Sequence, residues 1–532
     1  MRVLGAAPLL LLWALPLLAA LAMLVPAACG AGAWQLALGH PQLWPAFALS
    51  LASGAVSTLI ALALCLVLLA GLHHSPVWYR LQALAATGLA VPHLAFAIGF
   101  GFLVMPSGLM ARLFAGGDAP PQWITVQDPW GVTLTLALAL KELPFLLTAG
   151  FAVLSRGDAA LQLRAQCRAA ASLGHAPGSA FLRVVLPPLI HELRWPLVIV
   201  FVYGATVVDM ALVLGPTQPP TLAVVIWHAL NHADSAVNAM GLVLTLLLTG
   251  ALALVLLGVA LLTRAISRRI HAVLTAGPSP LAAPRRIASV TGLVSLAILA
   301  LAMAVLVLLS LAPRWPYPAL LPPAAGLSAW ANVASLPLWL SLLLSLAASA
   351  VAVALAVGWF ETQDAERDRW AIGLALVALA LPQLASAGGQ YRLFLPLGLT
   401  GTLAGLFLAH LTPVAAYVLI VLAGPWRGFD RRYVAAARAL AATPRRALLA
   451  VKLPLLKAPL LTAAAIGFAV SIAQFVPAQL IAAGRWSTLP MEAVTLASGG
   501  NRALTAAFAL ALAVPPLAGF LAAAILGRPR WR

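Results

Sequence analysis

The chain has 532 residues, of which 63% are hydrophobic and only 8% charged. A soluble domain averages about 25% charged residues, so this composition cannot clothe a water-facing surface, and the bilayer is the main solvent. The net charge of +18 therefore has to be located loop by loop, and the three dispersed cysteines, Cys29, Cys65 and Cys167, exclude both a C-x-x-C metal spacing and a disulfide framework.

The first apolar run, Ala6 to Ala28, exceeds the roughly 7–15 residues of a signal-peptide core and reads as a retained span. Cys29 follows it, but Pro26 stands where a lipoprotein cleavage site wants Leu. Along the chain the expected spans are 5–28, 45–71, 82–105, 131–154, 195–215, 238–263, 288–312, 333–359, 370–388, 402–424, 459–482 and 503–526. Each should be helical, because backbone groups in lipid must be bonded within their own segment or by barrel closure. Leu/Ala-rich runs of this length do not suit barrel strands. The least regular is 370–388, which runs into the Gly- and Pro-containing segment Ser386 to Leu397.

Charge gives the orientation. With the N-terminus in the cytoplasm, the outside segments hold only Arg112, Arg314, Arg392, Arg485 and Arg502 of the 31 Lys and Arg, and Lys141 lies within a span. The remainder fall inside, as the positive-inside rule requires, and both termini are expected in the cytoplasm. The one-sided charge accounts for the basic character without nucleic acid. Trp34, Trp44, Trp195, Trp315 and Trp330 stand near span ends, where interface anchoring is the ordinary role. His73-His74 is a loop feature and not a metal site.

Ionisable groups at mid-bilayer cost about 2.5–3.5 kcal/mol, which makes each a candidate for the translocation pathway. Lys141 and Glu142 fall in the fourth span and Asp209 in the fifth. His410 stands opposite Lys141 in the second half, and Gln474 stands near the counterpart of Asp209. The structural alternative is that Lys141 and Glu142 pair locally or snorkel.

The two halves of the chain repeat. Arg168 to Pro187 aligns without gaps to Ala435 to Pro454, 267 residues later, and nine of the twenty positions are identical. Val91-Pro92-His93-Leu94 resembles Leu381-Pro382-Gln383-Leu384, Leu143-Pro144 matches Thr412-Pro413, and Ser50-Leu51-Ala52 resembles Ser345-Leu346-Ala347. Six spans per half is an even number, so both halves enter the membrane in the same sense as a parallel repeat. The expected division is 1–263, a basic cytoplasmic linker 264–287 containing Gly277-Pro278-Ser279-Pro280, and 288–532.

The repeated segment lies in a loop of roughly 30–40 residues between the fourth and fifth spans of each half, far above the usual 4–6. It holds an Ala-rich helix, a break, and a second short helix opening on Pro177 or Pro444, with Thr443 as a cap. The second helix should stop before Leu186-Pro187 or Leu453-Pro454, because proline disfavours helix in the residue before it.

These loops resemble the "EAA" loop of binding-protein-dependent ABC permeases, E-A-A-x3-G-x9-I-x-L-P. The first copy has Arg168-Ala169-Ala170, Gly174, Val184, Leu186 and Pro187; the second has Ala435-Ala436-Ala437, Ala441, Val451, Leu453 and Pro454. The acidic position is lost twice and the glycine once. The length is similar to fused two-half permeases of the thiamine and ferric-iron type, and segments 207–227 and 474–502 look most like the Ynj-type permeases. The resemblance implies an all-α membrane protein of about 12 transmembrane helices, arranged as two six-helix repeats of the type I (MetI-like) importer permease fold. It implies coupling helices at Pro177 and Pro444, each seated on one of two cytoplasmic ATPase subunits, and a periplasmic solute-binding protein. The chain has no G-x-x-x-x-G-K-[ST] phosphate loop, so ATP and Mg would bind the partner, and this chain would hold no cofactor or metal and be no enzyme. The rival reading is an ATPase-independent secondary transporter, which lacks a reason for the two long loops. A membrane enzyme would need more than His191-Glu192.

Overall fold

The computed structural model describes residues 2–27, 30–73, 75–114, 117–155, 157–274, 281–333, 335–440 and 443–528, and every regular element among them is helical. Cys29, His74, Gly277-Pro278-Ser279-Pro280 and Ala441 lie outside the described residues. Ten helices are long and apolar enough to cross a bilayer, and two bent pairs raise the total to 12 if each is one span.

The first set comprises α1 (Ala6–Pro26), α2 (Leu43–Leu72), α3 (Trp78–Ala90), α4 (His93–Val104), α5 (Val132–Leu154), α6 (Gly157–Ser172), α7 (Pro177–Thr206), α8 (Asp209–Leu214), α9 (Leu222–Leu230) and α10 (Ser235–Leu274). The second repeats the order: α11 (Arg285–Ser310), α12 (Leu336–Thr362), α13 (Ala365–Ala380), α14 (Gln383–Phe394), α15 (Leu403–Arg427), α16 (Arg431–Ala439), α17 (Pro444–Leu455), α18 (Lys457–Ile472), α19 (Val476–Ala482), α20 (Leu489–Ala497) and α21 (Arg502–Leu526). Among the described residues, α7 is continuous where its counterparts α17 and α18 are bent by 75°.

Four expected spans are cut by their own sequence. The expected spans 82–105 and 370–388 each break before a proline: Val91 (ψ 124) and Leu381 (ψ 143) are extended, as a residue preceding proline prefers. The second of these breaks turns the chain by 102° between α13 and α14. The expected span 195–215 is displaced, because α7 starts at Pro177 and ends at Thr206, and extended Val207 separates it from α8. Segment 459–482 divides into α18, which ends at Ile472, and α19, which starts at Val476. Short helices α9 and α20, apolar but below spanning length, were not expected.

The first helix of each half packs on the opposite half. Helix α1 lies against α12, α14 and α15, and α11 against α2 and α4. Trp13, fully buried, donates its indole N–H to Thr412 O at 2.8 Å. Two glycines permit both exchanges: a Cβ on Gly99 would stand 2.6 Å from Ala302 O on α11, and a Cβ on Gly389 would collide with Ala20 O on α1. In lipid there is no hydrophobic drive between helices, so such close backbone approach supplies the packing.

Within each half, buried small residues join the second helix to the later ones. Gly54 on α2 abuts Ala205 on α7, and Ser349 on α12 donates to Ala464 O on α18 at 2.7 Å. Ser50 Oγ accepts from Leu222 N at 2.8 Å, and Ser341 Oγ accepts from Leu489 N at 2.8 Å. These matched bonds make Ser341, not Ser345, the counterpart of Ser50. The similar Ser-Leu-Ala triplets are therefore one helical turn out of register, which Leu/Ala-rich sequence does not resolve.

Candidate functional site

In the first loop, α6 ends at Ser172 and is closed by Gly174 at φ +85. His175 N donates to Ala170 O at 3.0 Å and Gly174 N to Ala171 O at 3.0 Å, the paired closure of a Schellman motif that favours glycine at this position. Ala169 is exposed on α6 and Ala170 is buried. Pro177 then opens α7 at its first turn. In the second loop Asp430 caps α16 through Arg432 N at 2.9 Å, and hydrogen bonds from Arg432 hold its carboxyl below the usual carboxylate range. Ala436 and Ala437 lie on α16. Thr443 Oγ1 accepts from Arg446 N at 3.3 Å, ahead of Pro444.

The short helices do not stop before Leu186-Pro187 and Leu453-Pro454. Each contains a π turn immediately before the proline, Phe181–Val185 in one copy and Leu448–Lys452 in the other, and both prolines stand in the first turn of the helix that resumes. Proline removes a donor and crowds the preceding carbonyl; the wider π turn takes up the extra residue and leaves the chain helical. Leu186 continues directly into α7, whereas Leu453 is followed by the bend at Leu456.

The two loops are fastened differently. Phe181 and Val185 are buried in an apolar cluster with Leu69, Phe151 and Ala288. In the second loop Lys452 donates to Glu361 Oε2 at 2.6 Å and lies 4.2 Å from the Trp426 ring centroid. Beside it Arg427 holds buried Asp368 through two hydrogen bonds, 2.6 and 2.9 Å, and Trp359 Nε1 donates to the same carboxylate.

The intramembrane polar residues form two groups. Glu142 takes His93, not Lys141, as its partner, with His93 Nε2 2.8 Å from Glu142 Oε1. The His93 ring stands 4.6 Å from that of Tyr203. Asp209, Glu142 and Tyr417 of the second half all lie within electrostatic reach of Tyr203, and His93, Tyr203 and Tyr417 are only half-buried. Lys141 donates to Gly88 O at 3.2 Å and lines a crevice beside Leu84 and Leu296. The second group is His410 with Ser471 at 3.0 Å, and Gln474, whose Nε2 donates to His410 O at 3.0 Å. His410 Nε2 and Gln474 Oε1 are buried without a protein partner. Away from both groups, a cavity of about 390 Å³ lies between Ser107, Trp315 and Arg502, where Arg112 is occupied by the carbonyls of Ser107, Trp315, Pro316 and Ala319.

No family model matches the chain. Over 529 residues, 97% of its length, it is 32% identical to the inner membrane ABC transporter permease protein YnjC of Escherichia coli (strain K12), 96% of which is covered. The chain belongs to the ABC transporter permease family. A 124-residue stretch, 23% of the chain, is 29% identical to the putrescine transport system permease protein PotI of the same strain, over 44% of that relative. The 10 to 12 candidate spans are consistent with this ABC permease family. Sequence reasoning passed over His93, Tyr203 and Tyr417. His93 was visible as a polar residue inside an expected span, but Tyr203 and Tyr417 come from different halves and carry no sequence signal of their proximity.

Proposed function

We propose that the chain is the channel-forming subunit of an ATP-driven importer in the inner membrane, moving a small solute delivered from the periplasmic side by a binding protein. Residues 1–263 and 288–532 act as its two halves, joined on the cytoplasmic side by 264–287. Two ATPase subunits, which supply ATP and Mg chemistry, dock on the loops at Ala169, Ala170, Gly174 and Pro177 and at Ala436, Ala437, Ala441 and Pro444. Leu186-Pro187 and Leu453-Pro454 pass the stroke into α7 and α18. The observation that supports this best is the recurrence, at the same offset, of break, proline-led helix and π turn in both loops. A helix that carries a π turn in front of a proline stays helical yet bends easily, which suits transmission of a movement.

The pathway runs between the halves past Glu142, Asp209, His93, Tyr203 and Tyr417, with His410 and Gln474 on the second-half side. Lys141, turned to Gly88 O, supports the α3–α5 contact.

Co-purification with the ATPase from the neighbouring gene tests the reading. The unaltered chain should bring down two ATPase copies, and Pro177→Asp with Pro444→Asp should release them. A chain that moves solute with no ATPase would overturn it. Glu142→Ala and Asp209→Ala should each lower uptake at unchanged protein level; full uptake by both would remove these residues from the pathway.

A further inference from the structure

The segment that joins the halves does not hang free of the first loop. Ser179 N donates to Leu281 O at 3.0 Å, and a Cβ on Gly178 would collide with Ala282 O. A little further along the segment, Gly71 at the end of α2 has the same relation to it: a Cβ there would meet Ala288 and stand 2.8 Å from Pro284 O. Residues 281–288 are thus laid across the start of α7 and the end of α2, and two positions without a side chain make the room. As a result Gly178 and Ser179 are buried, whereas their counterparts in the second loop, Arg445 and Arg446, are exposed.

The loops share one exposed apolar pattern. Leu173 (70% exposed) and Leu182 (39%) in the first correspond to Leu440 (86%) and Leu449 (64%) in the second, 267 residues later. On the first side the joining segment adds Leu281, 50% exposed, directly over the helix start. On the second side the helix start carries two arginines, an unfavourable place for positive charge because the helix N-terminus is itself positive. Arginines there fit an acidic partner.

We propose that Leu281–Pro284 is a fixed part of the first ATPase-docking surface, so that the two docking surfaces of this single chain are non-equivalent. The first is composite and apolar, built from Leu173, Leu182 and the strap residue Leu281. The second is bare and basic, built from Leu440, Leu449, Arg445 and Arg446, and takes acidic side chains of the ATPase. This inference rests on the importer reading above. It also gives the strap a mechanical role: α11, which starts at Arg285, moves with the first coupling helix through the bonded strap, and the second coupling helix has no such tie among the described residues.

Binding of the cognate ATPase to the full-length permease in detergent, with the copies per permease counted by native mass spectrometry, tests it. Leu281→Asp, a change at an exposed position, should weaken one of the two binding events at least about tenfold, the loss expected of an interface anchor, and spare the other. Arg445→Glu with Arg446→Glu should weaken the other event, and the combined variant should lose both. Gly178→Val should displace the strap and speed amide exchange at Ser179 about tenfold or more. Two unchanged binding events with Leu281→Asp, while Leu173→Asp weakens one, would overturn the strap and leave the importer reading standing. Unchanged exchange in Gly178→Val would likewise overturn the strap. No binding by the unaltered chain would overturn the importer reading and this one with it.

Discussion

At the scale of single residues, charge is used sparingly, and one buried carboxylate is answered by a cation. Asp368 is almost fully covered and is held by Arg427 and Trp359 at the loop end of α12, α13 and α15. Removing one partner of such a pair leaves the other uncompensated. Arg427→Ala should therefore destabilise the protein by roughly 3 kcal/mol, seen as a lower unfolding midpoint in detergent, and Arg427→Ala with Asp368→Leu should recover part of it. If the single variant melts like the parent, the pair is not a structural tie. In contrast, Glu142, Tyr203 and Tyr417 bring polar groups together where lipid-facing packing would not need them, which is the ground for proposing them as pathway residues.

At the scale of elements, proline and glycine decide what the apolar pattern leaves open. Prolines 92 and 382 cut helices, whereas prolines 187 and 454 are carried by π turns. The difference lies in what precedes them: an extended residue at 91 and 381, helical residues at 186 and 453. Glycines 99 and 389 decide how closely α11 and α1 approach. Gly99→Ala or Gly389→Ala should each cost about 1–3 kcal/mol through overpacking, measured as a fall in melting temperature. Gly373→Ala, inside α13 with nothing within 4 Å, is the control and should not lower it, and helix propensity should raise it slightly.

At the scale of the whole molecule, the first helix of each half is lent to the other. Trp13 sits among α12 and α15 residues of the second half, 399 positions away from the carbonyl it donates to. Trp13→Ala should open a cavity there, lower stability by about 3 kcal/mol and raise proteolysis of the second half more than of the first. Equal cleavage of both halves would count against a specific role for the exchange.

The sequence by itself determined that the chain is helical and spans a bilayer about 12 times, because backbone satisfaction in lipid leaves no other use for such apolar runs. It also determined the repeat and the two matched loops, because proline spacing survives where Leu/Ala identity carries little information. Tertiary structure decided the rest. Which prolines break a helix depends on whether the surrounding packing permits a π turn. The register of Ser50 with Ser341 depends on backbone amides of Leu222 and Leu489, more than 140 residues away in sequence. The proximity of Tyr203 to Tyr417, and the strap over Gly178, join segments from opposite halves or across the linker, and no local pattern encodes contacts made only when the two repeats close on each other.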